Sequence, residues 1–294
     1  MRRVFLHLLF LAVIGSWTGG ALLAAAPSKN EPKHLDSTIP HESVPVHILG
    51  GFLAVAEGQI GGALSHQNFI LDTGTSPSVL NVRVARQLGL VLSPAKVTAI
   101  GRDTEVAFAT VPDLQLGALQ ARSTAFLVTD LADVERAWKI PIAGILGLDI
   151  LGKTSFRLDY ERQILEFGDV SREGIPIGLS TSLDLPIAEI RINGKALHLL
   201  VDTGSDRLVF FGGRSTGILD SPGALVRGNS VAGGVPVHQG PALEFEWHGR
   251  RFQQEPVIVA GREEPLFDGL LSVRSMGFRS IAVDATRRVV YLQK

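Results

Sequence analysis

From Val44 onward the chain alternates short apolar runs with glycine-bearing turns, the pattern of a β-rich fold. Strands are predicted at Val46-His47-Ile48, from Phe52 to Ile60 and from Asn68 to Leu71. Asn81 is placed to cap a short helix from Val82 to Leu88, with Gly89 as its stop. Alternating segments follow around Val97 to Thr110, Leu114 to Leu116 and Ala125 to Val128. Ile142 to Leu151 is an apolar run broken by two glycines, and Phe156 to Tyr160 with Ile164 to Phe167 reads as a hairpin.

The same order then recurs. Leu185 to Ile192, a tight Asn193-Gly194 turn and Leu197 to Val201 lead into Asp202, as the earlier strands lead into Asp72. Leu243 to Trp247 and Pro256 to Val259 stand where the middle strands of the first half stand. Gly269 to Gly277 matches Gly144 to Gly152, and the last two apolar runs, Ile281 to Asp284 and Val289 to Leu292, match the earlier hairpin. Asp72 and Asp202 are 130 residues apart; Gly144 and Gly269, like Asp159 and Asp284, are 125 apart. A single loop-length change accounts for that drift. The chain therefore reads as a duplication, with residues 1–26 as an export signal, 27–43 as a polar linker, 44–168 and 185–294 as the two halves, and 169–184 as their connection.

The repeat is centred on two copies of one stretch. Phe69-Ile70-Leu71 runs into Asp72-Thr73-Gly74-Thr75, and Leu199-Leu200-Val201 runs into Asp202-Thr203-Gly204-Ser205. A carboxylate at the end of a buried strand is costly unless paired or hydrogen-bonded. The glycine allows a tight turn that brings N–H groups toward it, and the hydroxyls add donors. Two halves that each present one such loop can bring the carboxylates together on a pseudo-twofold axis. Two carboxyls that close share one proton, which supplies a general base and a general acid in one pair.

Composition narrows the chemistry. A net charge of -1 gives no electrostatic footprint for nucleic acid. With no cysteine, disulfides, thiolate metal sites, a cysteine nucleophile and a lipid anchor on an N-terminal cysteine are ruled out. The 8 histidines lack metal-ligand spacing, so neither a metal nor another cofactor is expected. Arg2-Arg3 followed by the apolar Val4 to Ile14 and by Ala24-Ala25-Ala26 reads as a secretory signal, placing the protein in the periplasm or outside the cell. An uncleaved membrane anchor is the alternative.

In these residues the chain resembles the pepsin/retropepsin-like aspartic proteases, and most of all the exported bacterial type with two retropepsin-like halves in one chain. Each half carries its Asp-Thr-Gly loop and a later segment that stands for the family's apolar-apolar-Gly: Ile142-Ala143-Gly144 in the first, and Phe267-Asp268-Gly269, with Asp268 in place of the second apolar residue, in the second. The resemblance covers roughly residues 44 to 294. It implies an all-β, duplicated, two-lobed acid-protease barrel with short helices. It also implies that Asp72 and Asp202 form a catalytic dyad, that Thr73 and Thr203 brace the loops, and that Thr75 and Ser205 donate to the outer carboxylate oxygens. Gly74 and Gly204 would form the turns. A monomeric endopeptidase that takes an extended protein or peptide substrate follows, with a non-catalytic peptide-binding module on the same fold as the alternative.

The flap tyrosine of pepsins is missing; the flap candidates are Ile100-Gly101-Arg102 and Val231-Ala232-Gly233-Gly234. Hydroxyl donors at both loops would lower the dyad's pKa values, with Asp206 acting the other way, and an optimum on the acidic side of neutral is expected. Asp159 and Asp284 read as turn residues, Trp138 as packing, and Asp149, opposite Arg274 in the repeat, as no part of a symmetric site. Gly213-Arg214-Ser215-Thr216-Gly217 has the spacing of a nucleophile elbow but no helix to follow it, and reads as a loop.

Overall fold

The computed structural model describes residues 4–5, 42–99, 102–181, 184–212, 223–230, 233–259 and 267–294. The fold is mostly β, as the alternating pattern predicts. No helix among the described residues is long and apolar enough to cross a membrane. The export signal and the Gly213-Arg214-Ser215-Thr216-Gly217 motif fall outside these residues, apart from Val4–Phe5.

One pairing scheme occurs twice. Leu53–Ile60 pairs antiparallel with Leu64–Leu71, which pairs parallel with Gly144–Leu146. Val79–Asn81 joins the other side of that short strand and also runs parallel to the end of Leu119–Thr129. In the second half Ile187–Ile192 pairs with Lys195–Asp202, which runs parallel to Gly269–Ser272. Val209–Phe211 takes the place of Val79–Asn81, between Gly269–Ser272 and Val257–Val259. Gly144 and Gly269 sit where any side chain would strike the carbonyl of the neighbouring strand, Val79 in one case and Val209 in the other. That close approach explains why a glycine stands at this point of each repeat.

The two halves share a six-stranded layer. Its order is Glu42–Leu49, Ile164–Phe167, Phe156–Asp159, Ser280–Asp284, Val289–Gln293 and Ile175–Gly178. Its central contact, Phe156 opposite Val283, joins the two predicted hairpins to each other. Asp159 and Asp284 do accept turn N–H groups, from Glu161 and Arg162 and from Arg287. A continuous core that includes Phe69, Phe126, Phe156, Phe210 and Phe278 lies against this layer.

Several elements differ from the sequence expectation. The segment read as a plain connection, 169–184, contains the strand Ile175–Gly178, which extends the shared layer by pairing with Val289–Gln293. A helix, Ala132–Trp138, follows Leu119–Thr129, and its one fully buried residue, Val134, is too little to mark an amphipathic pattern. Leu243–Trp247 does not join the larger sheet of its half. Among the described residues it pairs with Arg250–Gln254 alone, and its apolar face packs Phe245 and Trp247 with Phe252. Asn81 caps Val82–Gln87 as predicted, by accepting from the Arg83 N–H.

Candidate active site

Each of the strands Leu64–Leu71 and Lys195–Asp202 ends at an aspartate that is fully buried. Their loops meet. Thr73 N–H donates to Thr203 Oγ1 at 2.9 Å, and Thr203 N–H donates to Thr73 Oγ1 at 3.2 Å. Each hydroxyl in turn donates across the junction, Thr73 to the Val201 carbonyl at 2.9 Å and Thr203 to the Leu71 carbonyl at 3.0 Å. Every polar atom of the two threonine side chains thus finds a partner in the opposite half, which is what makes their burial tolerable.

The glycines complete the junction reciprocally. A methyl group on Gly74 would lie 2.8 Å from the Asp202 carboxyl carbon, and one on Gly204 would lie 2.7 Å from that of Asp72. The Gly74 N–H donates to Asp72 Oδ1 at 2.8 Å and the Gly204 N–H to Asp202 Oδ1 at 2.6 Å. The two carboxyls are within hydrogen-bonding reach of each other.

The symmetry breaks at the next residue. Thr75 Oγ1 donates to Asp72 Oδ2 at 2.5 Å, as expected. The Ser205 hydroxyl does not reach Asp202: it donates to the Arg207 carbonyl at 3.0 Å and closes its own loop instead. Asp202 receives the backbone N–H groups of Gly204 and Ser205, while its Oδ2 accepts from no other protein donor among the described residues. The partner left for that oxygen is the Asp72 carboxyl.

The electrostatics follow. Burial pushes the Asp72 pKa above its ordinary value, opposed by hydrogen bonds from Thr75, Asp202, Gly74 and Gly204. Burial pushes Asp202 further up, and the negative charge of Asp72 adds to the effect. The Thr75 hydroxyl favours charge on Asp72, and Asp202 has no hydroxyl donor among the described residues to do the same.

Other residues hold the loops from behind. Ser78, not singled out in the sequence, donates its N–H to Asp149 Oδ2 at 3.0 Å and its hydroxyl to Asp149 Oδ1 at 2.6 Å, and accepts the Gly147 N–H at 2.8 Å. Asp149 thus anchors the loop after Asp72. Ser272 fills a comparable place in the second half, donating to the Ser205 carbonyl at 2.7 Å. No spacing in the sequence marks Ser78 or Ser272, because their partners lie 71 and 67 residues away. Asp268, which departs from the pattern of the first half, accepts the His198 N–H at 2.8 Å.

Of the flap candidates, Ile100, Gly101, Val231 and Ala232 lie outside the described residues. Arg102 begins the return strand of one hairpin, opposite Ala99. Gly233 and Gly234 begin the return strand of another, opposite Ser230 and Asn229. Trp138 meets Phe52 edge-on and covers Gly50.

Residues 56–150 match the family described as aspartyl protease. The matched stretch holds Asp72, Thr75, Ser78, Gly144 and Asp149, and ends before Asp202. No curated protein matches the chain.

Proposed function

We propose that the chain is an aspartic endopeptidase in which Asp72 and Asp202 activate one water between them. The observation that carries this reading is the pair of buried carboxyls in hydrogen-bond contact, held by four reciprocal threonine bonds. Nothing in the packing of a protein needs two neighbouring buried carboxyls, which cost stability when ionised.

The asymmetry of the site assigns the roles. Asp72, ionised, takes a proton from the bound water as its oxygen attacks the scissile carbonyl carbon. Asp202 gives its proton to the carbonyl oxygen, yielding a neutral tetrahedral diol. The proton on Asp72 then passes to the amide nitrogen, the C–N bond breaks, and Asp202 recovers its proton from the collapsing diol. The substrate lies extended across the dyad, bounded by the hairpins that carry the two flap candidates. We propose export as well, which the apolar run from Val4 to Ile14 supports, with that run as a cleaved signal or a retained anchor.

Asp72→Asn and Asp202→Asn should each abolish hydrolysis of a denatured protein substrate and leave the fold intact, because the two carboxyls act as one unit. Circular dichroism and a peptide-release assay, with pepstatin as a blocking control, measure both. A single variant that retains near wild-type turnover would sink the assignment.

A further inference from the structure

A cavity of 420 Å³ opens beside the dyad loop. Asp206 and Arg207, the residues directly after Asp202-Thr203-Gly204-Ser205, form one wall, and Arg274 and Ser275 form another. The latter follow Ser272, the register partner of Asp202. Gly51 and Phe52, from the first half, close the far side.

Two carboxylates, Asp206 and Glu255, and two guanidiniums, Arg207 and Arg274, line this cavity. Asp206 lies 3.8 Å from Arg207, and Glu255, at the rim, is exposed to solvent that screens it. Arg274 makes no ion pair with a carboxylate among the described residues. Its Nε donates to the Gly51 carbonyl at 3.2 Å, its Nη1 to the Phe278 carbonyl at 2.8 Å, and its plane lies 5.0 Å from the centre of the Tyr160 ring. All three partners are neutral, and Nη2 donates to no described residue. Those contacts fix the guanidinium in place, so a ligand would meet it preorganised. A second observation points the same way. The Ser275 hydroxyl is buried and has no hydrogen-bond partner among the described residues. An unmet hydroxyl beside a guanidinium that has no ion-pair partner among the described residues matches what a carboxylate accepts from.

Building on the peptidase reading, we propose that this cavity is a subsite for a carboxylate of the substrate peptide, held by Arg274 and Ser275. The carboxylate is an Asp or Glu side chain on the part of the peptide that lies along Asp202, or the peptide's own C-terminal carboxylate. In the repeat, Asp149 stands where Arg274 stands and is tied to Ser78, so the first half has no counterpart of this subsite.

The test uses one extended peptide series with Glu or Gln at each position in turn, each made with a free and an amidated C-terminus. kcat/KM is measured for the wild-type chain, Arg274→Gln, Arg274→Lys and Ser275→Ala, and binding of the same peptides is measured by calorimetry on Asp72→Asn. A charge-assisted hydrogen bond predicts a preference of roughly tenfold for the acid over its neutral counterpart. That ratio should fall to within about twofold in Arg274→Gln, drop in Ser275→Ala, and persist in larger part in Arg274→Lys. Comparing each ratio within one protein removes any general loss of folding caused by breaking the Gly51 tie. A preference that follows Glu over Gln identifies a side chain; one that follows the free over the amidated end identifies the terminus. Hydrolysis with no preference for either, or an undiminished preference in Arg274→Gln, overturns the subsite and leaves the peptidase reading standing. Selective binding of the acidic peptides without hydrolysis by the wild type overturns the peptidase and leaves the subsite.

Discussion

At Thr75 and Ser205 two residues of the same chemistry, at the same point of a repeat, do different work. The Thr75 hydroxyl stabilises charge on Asp72, whereas the Ser205 hydroxyl is spent on the Arg207 carbonyl. The consequence is a directional dyad. In a bell-shaped profile of kcat/KM against pH, the two limbs report the two macroscopic ionisations of the coupled pair. Thr75→Ala removes a donor to the charged form of Asp72 and should move the acid limb upward, while Ser205→Ala should leave that limb in place. Profiles of the two single variants check this, and equal shifts in both would return the site to the symmetric arrangement expected from sequence. The glycines belong to this scale as well. Their lack of a side chain keeps each loop against the opposing carboxyl, a requirement visible only once the halves are docked.

The meeting of two loops is a property of elements, and the threonine bonds set its geometry. Replacing Thr73 by valine keeps the shape but leaves the Thr203 N–H without its acceptor and the Val201 carbonyl without its donor. An orphaned buried group costs about 1–3 kcal/mol, so with two of them a loss of at least about 2 kcal/mol is expected. At about 2–4 °C per kcal/mol for a domain of this size, the thermal midpoint should fall by roughly 4–8 °C. Calorimetry of Thr73→Val measures it, and a midpoint unchanged from wild type would mean that the bonds do not hold the loops. Most strands near these loops were legible in sequence, since their apolar runs end at glycine or Asn-Gly turns. Leu243–Trp247 shows the limit of that reading. Its alternation correctly gives a strand with one buried face, but a period of two does not say which strand it will pair with.

For the whole molecule, the dyad is a load on stability. Burial raises both carboxyls, so the folded chain holds these protons to higher pH than the unfolded chain does. Stability therefore falls as pH rises from the ordinary aspartate value through the raised value of Asp202. An asparagine at 202 does not titrate. Asp202→Asn should melt above the wild type at pH 7, and the gap should close below about pH 4, where both aspartates are protonated in either state. Thermal melts of the two proteins across pH decide the matter; a gap independent of pH would show that ionisation of the pair is not what costs the fold.

The sequence by itself determined the strand content, and it pointed to a recurring order and to two aspartates, because each leaves a local mark: alternation, repeated spacing, and Asp-Thr-Gly after an apolar run. Only the tertiary structure decided which hydroxyl reaches a carboxyl and what Ser78, Asp149 and Arg274 touch. Ser78 with Asp149 and Arg274 with Gly51 meet across about 70 to more than 200 positions, whereas Thr75 and Ser205 make contacts only two or three positions away whose choice no local pattern marks. Apolar periodicity is imposed by burial on one face of one element and can be read along the chain. The direction of a hydroxyl, or the absence of a counter-charge, is fixed by whatever the rest of the fold places beside it.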